Sequence, residues 1–369
     1  MKKVQISTFQ LYVLMFMYML SPASVIFIAK EAKHDAWMAT LIGGILGMLK
    51  IGLIITFIYK NNNNLSFPEI LEKLVGKYIS KILVILYTIY FIFKSLFLLR
   101  HTSELLTTYV LNTTPPLVLH IVEFSVVIYA VYKGLETISR TAEIYYFAVV
   151  FSYILFAVLL YFSDVLKMEN ILPMLENGFI PVLKSSVPLV LSFPYGDLIV
   201  FLSITHFVNK KEKVTKVSLL ALLSTTLVLT LITVQNLMTV GPYLVENTPY
   251  PTMKSIRMID VGDFLQRLDS IAVLSFLTCS FFKLMILQYA ISTGLQTVFK
   301  TKKYQTFIIP SSVIIIIGSL YIAKNYTTHL YLAKQFLGTY FEITFETIIP
   351  ALLIIIALVK KFFKLGIKT

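Results

Sequence analysis

Ten long apolar stretches fill the chain between Val4 and Phe363, and short polar connections separate them. A helix that crosses a bilayer needs about 20 mostly apolar residues. The pattern therefore predicts spans over Ile6–Ala29, Trp37–Tyr59, Ile82–Leu111, Pro116–Tyr132 and Ile144–Phe162. A second set follows over Ser185–Val208, Val214–Val240, Ser270–Val298, Thr306–Ala323 and Phe336–Val359. The third span is long enough to tilt or protrude. The expected fold class is all-α integral membrane, a single domain over residues 1–369 with no room for a separate soluble unit.

One segment, residues 66–79, has a different period. Phe67, Ile70, Leu71, Leu74, Val75 and Tyr78 fall on one helical face, and Glu69, Glu72, Lys73 and Lys77 on the other. Ser66 and Glu69 have capping-box spacing. Such an amphipathic helix suits the membrane surface; it equally suits a solvated connector packed on the protein.

Composition sharpens the membrane reading. Charged residues are 14% of the chain and hydrophobic ones 57%, against roughly 25% charged in soluble domains. The mean hydropathy is +0.81. The opening Met1-Lys2-Lys3 and the apolar run after it resemble a signal peptide, with Pro22-Ala23-Ser24 near a cleavage site. The run continues to Ala29, too long for a signal core, so it is read as the first span. Cys279 is the only cysteine, so no disulfide can form within the chain.

The net charge of +13 is a topology signal. With both termini on the cytoplasmic side, 19 of the 32 lysines and arginines fall on that side (Lys216, in the first turn of the seventh span, counted with them), 9 on the other and 4 deeper within spans. The acidic residues divide 5, 9 and 5. This asymmetry is the positive-inside pattern. It predicts cytoplasmic N- and C-termini and an even number of spans, and it leaves no role for nucleic acid.

Ten spans divide into two sets of five, over approximately 6–163 and 183–360. An odd number per set inverts the second relative to the first, the 5+5 inverted-repeat plan of many secondary transporters. Equivalent spans 1 and 6 both carry a break, at Ser21-Pro22-Ala23-Ser24 and at Phe193-Pro194-Tyr195-Gly196-Asp197. Proline removes a backbone donor and clashes with the preceding turn, and lipid cannot satisfy the backbone groups so freed. Broken helices 1 and 6 thus predict a midplane site. Free N–H groups there suit a carboxylate and free carbonyls an ammonium or metal cation, so a zwitterion such as an amino acid is the natural ligand class.

The Phe193–Asp197 run resembles the Phe-Pro-Phe-Gly-Glu motif of spore germination proteins, the B subunits of bacterial germinant receptors within the amino acid–polyamine–organocation transporter superfamily. The opening Ile6-Ser7-Thr8-Phe9-Gln10-Leu11, Ser139-Arg140-Thr141-Ala142-Glu143, Asn170-Ile171-Leu172-Pro173 and Arg267-Leu268-Asp269-Ser270 also have counterparts there. The similarity spans essentially the whole chain. Aspartate at 197 departs from the commoner glutamate, which keeps the charge and shortens its reach. The resemblance implies a leucine-transporter-like fold, a role in sensing nutrient germinants in the spore inner membrane, and companion A and C subunits.

Nine ionisable residues other than histidine lie within the spans: Lys50, Lys94, Arg100, Lys283, Glu104, Glu123, Asp197, Glu342 and Glu346. Each costs roughly 2.5–3.5 kcal/mol at a helix centre, so pairing or contact with water is required. Lys94, Asp197, Lys283 and Glu346 fall close to mid-span. Tyr90, Lys94, His101 and Thr108 share a face, as do Thr339, Glu342 and Glu346. Arg100 and Glu104 form an i,i+4 pair. That pair and Glu123 are expected to lock packing, and Asp197 to serve the ligand. Lys283 and Glu346 fit either role. Thr278, Cys279 and Ser280 stand one turn before Lys283. In sodium-coupled relatives, small hydroxyl residues of span 8 help hold sodium against span 1, so the resemblance implies that the Lys283 ammonium can replace the ion. The same small residues also allow tight helix packing.

The candidate ligand-binding set is therefore Ser21, Pro22, Ala23, Ser24, Tyr90, Lys94, Phe193, Pro194, Tyr195, Gly196, Asp197 and Thr278, with Lys283, Ser280 and Glu346 as ion or charge-pair groups. The sequence has no glycine-rich phosphate loop, no His/Cys metal spacing and no nucleophile–base motif, so no enzyme, metal or cofactor is expected. The connection Gly241–Asp269, made irregular by Pro242, Pro249 and Pro251, is read as a lid, a partner contact or a plain connector. Three functions remain: a ligand-sensing receptor subunit, a proton- or sodium-coupled amino-acid permease, and a structural subunit with a vestigial site.

Overall fold

The computed structural model describes residues 4–260 and 268–366, and these are helical almost throughout. Helix α1 (Thr8–Ala23) starts from a capping box: Gln10 N–H donates to Ser7 Oγ at 3.0 Å, and Ser7 N–H donates to Gln10 Oε1 at 2.8 Å. It is followed by α2 (Ala36–Ile54), α3 (Phe67–Val75), α4 (Lys77–Tyr109), α5 (Pro116–Lys133) and α6 (Leu135–Phe162). Next come α7 (Ile180–Leu191), α8 (Val214–Val240), α9 (Pro242–Asn247), α10 (Pro251–Arg257), α11 (Asp269–Phe299), α12 (Ile308–Tyr321), α13 (Tyr326–Leu332) and α14 (Ile349–Gly366).

Eight helical stretches among the described residues are long and apolar enough to cross a membrane. Two further apolar helices, α1 and α7, are shorter, and they are the two that the breaks end. The protein is a multi-pass membrane protein. Its outer helices expose apolar side chains such as Ile144, Phe151 and Leu274, while serines, threonines and charged groups are buried inside. Helix α1 sits at the centre, buried from Val13 to Ser21, and packs against α6, α8 and α11. Helix α4 runs along α11, and α2 along α7 and α8. A short parallel bridge ties the two broken segments at one end: Ile6 N–H donates to Phe207 O, and Asn209 N–H to Ile6 O, both at 3.0 Å.

Several boundaries differ from the sequence expectation. The first span does not continue to Ala29; beyond Ser24 the chain leaves helical geometry and re-forms only as a 3₁₀ turn over Lys30–Asp35. Helix α6 starts at Leu135, nine residues ahead of the apolar run's onset at Ile144, because Gly134 at φ 97° turns the chain directly into it. The amphipathic segment ends at Val75, where Gly76 at φ 82° redirects the chain, so Tyr78 belongs to α4 and stands exposed. Helix α3 buries Phe67, Ile70, Leu71 and Leu74 on the protein. Its capping box forms, with Ser66 N–H and Oγ–H both donating to Glu69 at 2.7 Å. These bonds hold the Glu69 carboxyl below its usual range, so the cap is intact at neutral pH and lost as acid protonates it. Pro242 and Pro251 open short helices α9 and α10, since proline's missing donor is no loss at a first helical position. The expected irregular loop is thus helical in part, and α10 buries Met253 and Ile256. Arg267 lies outside the described residues.

Close approach of α2 to α8 depends on Gly44, where an added Cβ would collide with the Thr226 side chain, whereas a Cβ at Gly52 would stand 3.9 Å from Leu219. Gly44→Ala is expected to destabilise the protein by about 1–3 kcal/mol through overpacking, and Gly52→Ala to be near neutral. Melting of the two purified variants in one detergent checks this; equal melting points would contradict it.

Candidate functional site

The two breaks open opposite one another across the core. In the first, Ser21 leaves helical geometry (φ −92°, ψ 125°) ahead of Pro22. In the second, α7 stops at Leu191, Ser192 is non-helical, and the chain resumes at Asp197 as a 3₁₀ helix, Asp197–Ser203. Both breaks carry a cis peptide bond, Ser21–Pro22 and Phe193–Pro194. Each frees backbone groups that side chains from elsewhere satisfy. Lys283 Nζ on α11 donates to Ser21 O at 2.9 Å, and Ser21 Oγ and Ser280 Oγ are 2.7 Å apart. Lys50 Nζ on α2 donates to Val190 O at 2.8 Å and Leu191 O at 3.1 Å, while Thr347 Oγ1 also donates to Leu191 O at 2.6 Å. A cation at the C-terminal end of α7 also complements the helix dipole.

Between the breaks lies a buried ionic cluster. Lys94 on α4 is bonded to Asp197, to Glu342 at 2.7 Å and to Glu346 at 3.2 Å. Lys283 is bonded to the other oxygen of Asp197 at 2.5 Å. Its ammonium also lies 4.4 Å from the Tyr18 ring centre and 5.1 Å from that of Phe193, a favourable cation–π setting. The Tyr90 hydroxyl donates to Glu346 Oε1. Asp197 is 1% exposed and Lys283 2%, so neither charge is stabilised by bulk water and mutual pairing must do it.

Glu342 and Glu346 come from an unusual element, a π-helical stretch over Ala333–Ile348 that joins α13 to α14. Wide π turns are rare and recur at functional sites. Asp197, Glu342 and Glu346 bring carboxylate oxygens within 4.8 Å of one another, a grouping that suits a cation. Lys94 Nζ already binds all three. Three carboxylates therefore face the ammonium groups of Lys94 and Lys283, with that of Lys50 close by at Gly196, and Glu346 Oε2 accepts no hydrogen bond from the described residues. A Cβ at Gly196 would collide with that oxygen and with Ser192 O, so the glycine is what lets the break approach the cluster.

Of the residues expected at the site, Ser21, Tyr90, Lys94, Phe193, Gly196, Asp197, Ser280, Lys283 and Glu346 lie in or against this cluster. Pro22, Ala23, Ser24 and Pro194 form the backbone of the breaks. Tyr195 turns away: its hydroxyl donates to Thr40 O on α2 at 3.2 Å. Thr278 is not brought in either, since its hydroxyl donates to Leu274 O of its own helix. Arg100 pairs with Glu104 along α4, and Glu123 accepts from Thr102 Oγ1 at 2.8 Å, both away from the breaks. Lys50 and Tyr18 were not anticipated at the site. Glu342 was legible as the i,i+4 neighbour of Glu346; nothing in the sequence marks Tyr18.

The fold defines the class. A solved structure of Mhp1, a nucleobase-cation-symport-1 family transporter in a closed conformation with bromovinylhydantoin bound, superposes with a TM-score of 0.65 at 12% identity, covering 90% of this chain and 75% of that one. The protein has the leucine-transporter-like fold that the family resemblance implies. Within that class it belongs to the spore germination protein family, whose sequence pattern matches residues 5–327. It is 30% identical to Spore germination protein KB of Bacillus subtilis (strain 168), over 98% of this chain and 96% of that protein. Spore germination protein YndE of the same organism is 24% identical over 81% of this chain and 82% of its own. Spore germination protein XB of Bacillus anthracis is 22% identical over 84% and 86%.

Proposed function

We propose that this chain is the membrane subunit of a nutrient germinant receptor. A small germinant carrying an ammonium group, first of all an amino acid, binds at the bilayer midplane between the two breaks and triggers spore germination. The reading includes ten spans in a 5+5 inverted repeat, cytoplasmic termini, placement in the spore inner membrane, and germinant-receptor A and C subunits as partners.

One observation carries the choice of ligand: a buried carboxylate oxygen, Glu346 Oε2, lies beside the second break and accepts no hydrogen bond from the described residues. A ligand ammonium supplies the missing donor. As it enters, Lys94 is released from part of its bonding and becomes available to a ligand carboxylate. The affected groups sit on α4, α11, the 197–203 turn and the π stretch, so ligand binding reaches four elements at once.

The alternative reading is a proton- or sodium-coupled amino-acid permease, favoured by the fold shared with Mhp1. Purified chain in proteoliposomes separates the two. Saturable binding of a labelled amino acid without uptake supports the receptor; concentrative uptake by this chain alone supports the permease. Because Lys283 already donates to the carbonyl freed at the first break, binding is expected to be unchanged when sodium is replaced by choline. A strong sodium requirement in the unsubstituted protein would refute the idea that the ammonium stands in for the ion.

A further inference from the structure

A cavity lies where α2 ends and α8 begins, lined by none of the residues of the ionic cluster. It encloses about 810 Å³. Its walls change character along the helix axes. On α8 and the turn before it, Lys216, Leu219 and Leu223 follow one another along one face, spaced by about three to four residues, the repeat of an α-helix. The opposite wall is formed by α2 and the helical turns that continue it over residues 55–62, and runs from Lys60, through Thr56, to Met48 deeper in. Both walls are cationic at the helix ends; inward, the α8 wall is aliphatic at Leu219, Leu220 and Leu223, and the opposite wall passes from Thr56 to Met48. Seven residues of helix separate Lys216 from Leu223, about 10 Å along the axis, so the aliphatic part reaches into the hydrocarbon layer.

Lys60 and Lys216 are exposed at the opening, and Lys211 is held beside them by a hydrogen bond to Asn64. Glu212 is the one acidic residue lining the cavity, so the rim remains net positive. Leu220 and Leu223 expose 44% and 42% of their surface at the lower end, which leaves the cavity open sideways to lipid. A cationic rim over a lipid-facing aliphatic trough complements one kind of molecule, an amphiphile with an anionic head.

We infer that this groove is a binding site for an anionic phospholipid, with the headgroup phosphate between Lys60 and Lys216 and an acyl chain along Leu219, Leu220 and Leu223. Charge complementarity commits the site to a lipid headgroup. Basic pockets at the membrane boundary bind anionic headgroups in this way, and each lysine contributes enough that losing two weakens binding by about tenfold to thirtyfold.

The test uses the full chain purified in a neutral detergent, with phosphatidylglycerol and phosphatidylcholine carrying the same fluorescent acyl chain. Phosphatidylglycerol is expected to bind the unsubstituted protein saturably and at least tenfold more tightly than phosphatidylcholine. The double variant Lys60→Gln/Lys216→Gln should lose that preference while its melting in lipid-free detergent is unchanged. Leu223→Trp, which fills the trough, should weaken both lipids and leave inorganic phosphate without effect as a competitor. Equal binding of the two lipids, an undiminished preference in the double variant, or full displacement by millimolar phosphate would each overturn the assignment.

Discussion

Spores in which this chain carries Asp197→Asn are expected to lose the germination response to its nutrient while the protein still accumulates in the membrane. Among the described residues, Asp197 is the one group that joins Lys94 and Lys283, through one oxygen to the first and the other to the second. Asparagine keeps the shape, but it presents a single acceptor and no charge. Lys283 then retains only the Ser21 carbonyl and two aromatic rings. Breaking a buried pair from one side costs about 3–5 kcal/mol, and the expected consequence is a site that no longer holds its two breaks in register. Immunoblotting of spore membranes separates loss of response from loss of protein. Asp197→Glu supplies the control: it keeps the charge with one more methylene, and it is expected to retain a response shifted to higher nutrient concentration. An unchanged response in the asparagine variant would sink the midplane site.

Gly196→Leu should abolish the response as well, for a reason independent of charge. Gly196 lies at φ −73°, ordinary right-handed geometry that any residue adopts, so a substitution there meets no backbone penalty. Space alone forbids the side chain. A Cβ would collide with Ser192 O and Glu346 Oε2 and stand 3.0 Å from Lys50 Nζ. Leucine adds three more carbons, which must displace Glu346 from Tyr90 and Lys94 or push α7 outward. Overpacking of this kind costs about 1–3 kcal/mol, and here it falls on the groups proposed to meet the ligand. Gly196→Ala is expected to raise the nutrient concentration for half-maximal response about tenfold, and leucine to remove the response altogether, scored by the rate of refractility loss. A leucine variant with unsubstituted sensitivity would mean that the second break takes no part in sensing.

The two substitutions probe different properties of one arrangement. The cluster is stable because its charges pair within a medium that cannot solvate them, and on the proposed reading it responds through the one carboxylate oxygen, Glu346 Oε2, that no donor among the described residues reaches.

Much of this molecule can be read along the chain. The apolar runs mark the spans, since hydrocarbon accepts little else. Pro22 and Pro194 mark the breaks, because neither can donate to a helical ladder. The spacing of Ser66 and Glu69 marks the cap of α3, and the requirement that intramembrane charges be paired follows from their cost alone. These are local properties, set by a residue and its near neighbours. What the chain does not disclose is which partners meet. Lys94 and Asp197 are 103 residues apart, and Lys94 and Glu342 248; their contact depends on how each helix is rotated and on the π turns that carry Glu342 and Glu346 inward. Periodicity places Tyr195 and Thr278 near the right level of the bilayer, yet tertiary packing turns one toward Thr40 and the other onto its own helix. It also brings Lys50 to the carbonyl end of α7, a role invisible in α2's own sequence. The sequence by itself determined that charges and broken backbone fall within apolar runs; only the packing of helices distant in sequence decided which charge answers which, because an ion pair in lipid is made by geometry between elements and not by the order of residues within one.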